Sequence, residues 1–266
     1  MKTYKYWAKF EGNLTIDGTS VNAVFLGGSD ISPEEAGKAA MCKHDLVQQK
    51  INGVKHEFDD YEVEIREEQI KVISDAAVIT RNRYGAHVMN VEKLMILDVD
   101  EPPRSILDIF SKKTPDWKLV RIIDSMEKLH KELNLPVLGL RLYKTYKGFR
   151  VIVTGKDIAP NEKLAQVISR KLNTDDLYWT LCKKQHCYRA RLTPKPYRIE
   201  YQPIKIRLPD SLERRDEIMS WENGYLAAAK DYSVCRYIKT IGDNNMDSLT
   251  SFHDEYTGAY ADRKLA

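Results

Sequence analysis

Asp98 and Asp100 close the apolar run Lys93-Leu-Met-Ile-Leu-Asp98-Val-Asp100. On a strand, residues i and i+2 face the same way, so the two carboxylates project together. Like charges beside apolar residues are costly unless a cation offsets them. Mg²⁺ or Mn²⁺ suits oxygen ligands of this kind, and such pairs recur where phosphates are transferred. A strand end whose acids simply reach water is the bland alternative.

Other candidates follow in chain order. Lys147-Gly148-Phe149-Arg150 opens a strand with two cations beside a glycine that lets a backbone come close. Alternation puts Arg150, Ile152 and Thr154 on one face, and a guanidinium is well shaped for phosphate. Asp175 and Asp176 read as first-turn helix acids. In Tyr188-Arg189-Ala190-Arg191-Leu192-Thr193-Pro194-Lys195 the two arginines share a strand face, and Lys195 follows in a proline-bounded loop. Arg81-Asn82-Arg83-Tyr84-Gly85 joins bases to an aromatic that could stack on a nucleobase, and is equally an ordinary hairpin connection. His253-Asp254 reads as a surface pair.

Charge supports a polyanionic partner. Residues 141–207 hold 16 Lys and Arg against 5 Asp and Glu, a local +11. The rest carries 26 against 34, or −8, so the overall +3 hides a basic block. Cys182-x3-His186-Cys187 has no second ligand pair and does not make a zinc site. The four scattered cysteines read as reduced. No P-loop, G-x-S-x-G or G-x-G-x-x-G is present.

The elements that must position these residues make an α+β chain. Of its 266 residues 42% are hydrophobic and 30% charged, an ordinary globular mixture that excludes collagenous and low-complexity classes. No 18-residue apolar run exists and the start lacks a signal-peptide core, so no membrane association and a cytoplasmic location are expected. Strands are predicted at 4–14 and 21–26 around Asp17-Gly18. A helix from a Ser32 cap to about residue 50 follows, then a strand at 61–65. Strands at 76–80, 86–90 and 94–99 precede helices at 104–110 and 117–133. Strands at 137–143 and 149–154 follow, then a helix at 160–172 preceded by Asp157 and a short one near 174. Strands at 188–192 and 197–201 complete the core, and the pattern after Pro209 reads as helical with a frayed end. Three segments result: a β-β-α unit at 1–75, a core at 76–208 and a helical extension at 209–266.

Taken in order, the motifs resemble the archaeo-eukaryotic primase superfamily, including its primase-polymerase branch. That pattern has a D-x-D strand, a small-x-His motif on a following strand, a third Asp, and an arginine-bearing R-L-P-G-T-like segment. The resemblance covers about 78–195. It implies an RRM-like active-site unit with a mixed or antiparallel sheet and flanking helices. It also implies Mg²⁺ or Mn²⁺ on Asp98, Asp100 and Asp176 (or Asp175), with Lys147, Arg150, Arg189, Arg191 and Lys195 toward nucleotide phosphates. Nucleoside triphosphates and single-stranded DNA or RNA would be the partners of a metal-dependent nucleotidyltransferase. Arg150 stands where the family has its His. A non-catalytic nucleic-acid-binding relative, a nuclease and a sugar-nucleotide glycosyltransferase are the alternatives.

Overall fold

The computed structural model describes residues 1–54, 63–101, 117–206, 209 and 214–266. It is α+β, with antiparallel sheets and several helices. Two compact units arise: Met1–Val88 with Lys195–Ala228, and Met89–Pro194 with Ala229–Ala266. The chain therefore passes between units three times, so neither unit matches a contiguous segment such as 1–75 or 76–208.

In the first unit β1 (Tyr6–Ile16) and β2 (Thr19–Ser29) form an unbroken antiparallel hairpin turning at Asp17-Gly18. Helix α1 (Pro33–Ile51) packs on this hairpin. Ser32 Oγ accepts from the Glu35 backbone N–H at 3.2 Å, the cap the sequence predicts. β3 (Glu68–Ser74) pairs antiparallel with β4 (Ala77–Arg81). Of the strand expected at 61–65, residues 63–65 are irregular, and 61–62 lie outside the described residues. The chain leaves this unit along β5 (His87–Val91).

The second unit is built on β6 (Met95–Asp100), α2 (Trp117–Leu133), β7 (Gly139–Thr145) and β8 (Gly148–Thr154). α2 matches the expected helix, whereas the helix expected at 104–110 lies outside the described residues. α3 (Lys163–Lys171) begins later than expected. The Glu162 carboxylate takes the Ala159 N–H at 2.7 Å and holds 159–162 as a turn, so Asp157 is not its cap. α4 (Asp176–Gln185) and β9 (Tyr188–Arg191) follow. The strand expected at 197–201 is instead a 3₁₀ turn, Pro196–Ile199, because Pro196 presets a helical start and Glu200 ends it with positive φ.

After α5 (Arg215–Ala229) the chain is not wholly helical. β10 (Tyr232–Ser233), β11 (Cys235–Gly242), α6 (Ser248–Thr257) and β12 (Lys264–Leu265) complete it. β12 pairs with β10, and Ala266 is buried with its N–H on Ser233 O, so these last residues are held, not frayed.

The central sheet of this unit has the order β11-β7-β8-β6, antiparallel throughout. β6-α2-β7-β8 is a split β-α-β with β8 between its parallel neighbours. An RRM sheet adds its fourth strand beside the first. Here β11 joins β7 instead, which leaves one side of β6 without a strand partner in this sheet. Among the described residues no helix is long and apolar enough to cross a membrane.

Candidate active site at the end of β6

Met95, Ile96 and Leu97 are fully buried, and the strand then surfaces: the Asp98 side chain is 42% exposed and Asp100 is exposed. Asp98 lies opposite Arg150 on β8, and Asp100 opposite Gly148. A side chain at 148 would sit 2.6 Å from the Val99 carbonyl oxygen. The glycine therefore serves strand approach, not the ligand approach read from the motif.

Arg150 is only 1% exposed and is spent inside the protein. Its Nε donates to Asp98 Oδ1 at 3.1 Å, and one terminal nitrogen donates to Arg191 O (3.1 Å) and meets His253 Nε2 (3.0 Å). Burial opposes the guanidinium's charge, but Asp98 foremost, with Cys235 and Tyr178, offsets it and the pKa lies above the ordinary value. The expectation of a phosphate-facing Arg150 is thus corrected: its hydrogen-bonding capacity goes to internal partners.

His253-Asp254 is likewise no surface pair; the histidine is fully buried. Because an arginine N–H can only donate, His253 Nε2 must accept, which places the imidazole proton on Nδ1. That N–H donates to Asp254 Oδ1 at 2.9 Å. Asp254 Oδ2 accepts from Arg141 at 2.8 Å, and Arg141 also donates to the hydroxyls of Tyr143 (2.9 Å) and Tyr260 (2.7 Å). A polar chain, Arg141–Asp254–His253–Arg150–Asp98, thus runs through the core to the open carboxylate. With His253 neutral its formal charges cancel. Burial is the main reason the His253 pKa lies below the ordinary value.

Sequence reasoning missed Arg141, His253 and Asp254 as parts of the site. One signal was present. Arg141 interrupts Leu138-Gly-Leu-Arg-Leu, and a charge within an apolar strand demands a buried partner.

The third acid divides in two. The Asp175 backbone N–H donates to Asp98 O at 3.2 Å, and Thr174 bridges to Val99, so this segment lines the outer side of β6. The Asp175 carboxylate caps α4 through Tyr178 N at 2.5 Å. Asp176 instead lines a polar groove of about 360 Å³ with Ser169, Arg170, Asn173, Trp179 and Lys183, and neither Asp98 nor Asp100 is part of its lining. Among the described residues no three His, Cys, Asp or Glu are grouped to hold a metal ion. The expected cluster of Asp98, Asp100 and Asp176 is therefore not assembled.

The cationic residues differ in setting. Lys147 is exposed in the β7–β8 turn, and Arg189 Nε donates to Asn90 Oδ1 at 2.9 Å. Arg191 offers its carbonyl to Arg150. Lys195 belongs to the first unit, between Tyr84 and Tyr197, while Arg150, Arg189 and Arg191 belong to the second. Cys182 and Cys187 are buried and not disulfide-bonded, and burial raises the Cys182 thiol to about 12.

Asp98 and Asp100 fit a hard cation in one respect: Mg²⁺ is commonly held by one or two carboxylates, with waters and substrate phosphates completing its shell. Arg150 engages one oxygen of Asp98, whose side chain stays 42% exposed. No family model, curated protein or solved structure matches this chain.

Proposed function

We propose that the protein is a metal-dependent nucleotidyltransferase of primase-polymerase type, acting on nucleoside triphosphates and nucleic acid. The observation that carries this reading is the emergence of Asp98 and Asp100 together from a buried strand. Asp100 gains no ion pair there among the described residues, and it adds a like charge beside Asp98. Such a pair is unfavourable without a cation.

Asp98 and Asp100 would hold Mg²⁺ or Mn²⁺, which when bound lowers the pKa of an attacking hydroxyl and offsets charge on phosphate oxygens. Arg150 fixes Asp98 through Oδ1 and, being buried, does not itself reach a substrate. Lys147, exposed in the turn after β7, supplies positive charge for the triphosphate.

A second reading has its own observation. Arg150 already neutralises Asp98, as expected of a relative that binds nucleic acid without catalysis. Calorimetry with Mn²⁺ and primer-extension assays, on the wild type and on Asp98→Asn/Asp100→Asn, separate the two. The nucleotidyltransferase reading expects Mn²⁺ binding to be lost in the variant and incorporation to fall at least 100-fold, the scale of lost transition-state electrostatics. Equal Mn²⁺ binding by both proteins overturns it, and nucleic-acid binding without incorporation by the wild type supports the second reading.

A further inference from the structure

In the first unit two stretches more than a hundred residues apart meet: the β4–β5 loop and the segment that opens the 3₁₀ turn Pro196–Ile199. Each presents a solvent-facing tyrosine, Tyr84 (37% exposed) and Tyr197 (61% exposed). Lys195 Nζ lies 5.9 Å from the Tyr84 ring centre and 5.7 Å from that of Tyr197. The Arg83 guanidinium sits 4.7 Å from the Tyr84 ring and donates to its hydroxyl at 2.5 Å. Neither Arg83 nor Lys195 has a carboxylate partner among the described residues.

This surface is held in shape from beneath. Asn82 Oδ1 accepts from the N–H groups of Tyr84 (3.0 Å) and Ala86 (3.1 Å). Gly85 has φ +86°, and a Cβ there would sit 2.3 Å from the Trp221 ring. Trp221 is itself anchored: it stacks on Tyr225 with ring centres 4.9 Å apart and donates from Nε1 to Gln202 O at 2.9 Å. Pro196, buried, fixes the start of the second stretch. Two aromatic faces and two uncompensated cations are thus preordered, which lowers the entropy lost on binding.

We propose that Arg83, Tyr84, Lys195 and Tyr197 form a platform for single-stranded nucleic acid. Bases stack on the two tyrosines, and phosphates meet Lys195 between them and Arg83 beside them. Stacking needs bases that are free of a duplex, and the cations need a backbone of negative charge; a single strand meets both demands. The assignment rests on the reading that nucleic acid is a substrate and deepens it by naming the surface that takes the polymer. Asp98 and Asp100 belong to the other unit, so polymer binding and catalysis are separable by mutation.

The test is fluorescence anisotropy on the full chain, without divalent metal. The probes are labelled 12-nucleotide single strands of DNA and RNA, and abasic strands of equal length. Tyr84→Leu and Tyr197→Leu should each weaken binding about 5- to 150-fold, the ~1–3 kcal/mol that one base–aromatic stack is worth. Neither should change binding of the abasic strand. Lys195→Gln should reduce the slope of log K against log salt by about 0.7. Both tyrosines are exposed, so thermal melts should show the Leu variants folded. Wild-type affinity in both Tyr→Leu variants, or equal affinity for normal and abasic strands, overturns the platform. Tyrosine-dependent binding with no wild-type incorporation upholds the platform and counts against the nucleotidyltransferase alone.

Discussion

Each unit contains an arginine tucked among carboxylate and histidine, and the two are wired differently. In the first unit Arg81 donates to both oxygens of Glu222 (3.1 and 2.7 Å) and to Glu68 at 2.5 Å, while His87 Nε2 meets Glu222 Oε1 at 2.6 Å. Among the described residues these partners meet one another, and Glu222 takes both a guanidinium and an imidazole. In the second unit Arg150 is more deeply buried, yet its carboxylate is the half-exposed Asp98, beside an exposed Asp100. A closed network has the form of a structural clamp. An open one delivers a fixed carboxylate to solvent, as a binding site requires.

The largest expected effect compares the two ends directly. Glu222→Gln removes one of the two carboxylates that meet Arg81, and the partner of His87, and should cost about 3 kcal/mol, the lower end for breaking a buried ion pair. Asp98→Asn takes the countercharge from buried Arg150 as well, but an amide oxygen can still accept from its Nε and water already screens this half-exposed carboxylate, so the cost should be smaller, about 1 kcal/mol. Urea denaturation of both variants measures the difference. Equal losses would mean that Asp98 is as structural as Glu222, and the contrast between closed and open networks would fail.

Acid should separate the networks next. Burial, chiefly, holds His253 below its ordinary pKa, although its bond to Asp254 works the other way. The unfolded chain then takes up a proton near pH 6.5 that the folded chain excludes. Since the unfolded state binds more protons, this contribution is present above pH 6.5 and is lost as pH falls below it. The slope is at most about 1.4 kcal/mol per pH unit for one group. Burial also works against Asp254 and Glu222, but hydrogen bonds from His253 and Tyr143, and from His87 and Arg81, hold both below the ordinary carboxylate range. Their contributions are present above about pH 4 and disappear in stronger acid. Melting temperature followed from pH 7 to 5 should therefore fall, and His253→Gln should flatten that fall. An unchanged slope in the variant would remove His253 as its origin.

What was legible in the sequence was local. Asp17-Gly18, the Ser32 cap and the apolar stripe of α2 depend on neighbours within a few residues, and each stands where the pattern puts it. The D-x-D strand was also legible, since a run of three buried residues ending in acid is a one-dimensional signal. β11 was not: Cys235–Gly242 carries no clear period, and its pairing with β7 joins positions about a hundred residues apart. The roles of Arg150 and His253 were misread for the same reason. Whether a charge meets solvent or a buried partner is decided by which strand and helix close over it, and α6 closes over Arg150 from far along the chain. Arg83-Tyr84 and Lys195 were noticed singly, but only tertiary structure brings them together.

The smallest expected effect is the most discriminating. Asp100 is exposed, has no ion-pair or hydrogen-bond partner among the described residues, and shares a strand face with Asp98 two residues away. Nothing it touches would be lost in Asp100→Asn, and one unit of repulsion toward Asp98 would be relieved. The variant should therefore match the wild type within about 0.5 kcal/mol, the range of neutral surface changes, with any shift toward greater stability. Under the proposed function the same substitution removes one of two metal-holding carboxylates, so Mn²⁺ affinity should fall while the urea midpoint holds. A loss of more than about 1 kcal/mol would place Asp100 in a structural role that the open network denies it. Unchanged stability together with unchanged Mn²⁺ affinity would leave β6 ending in two acids that only reach water.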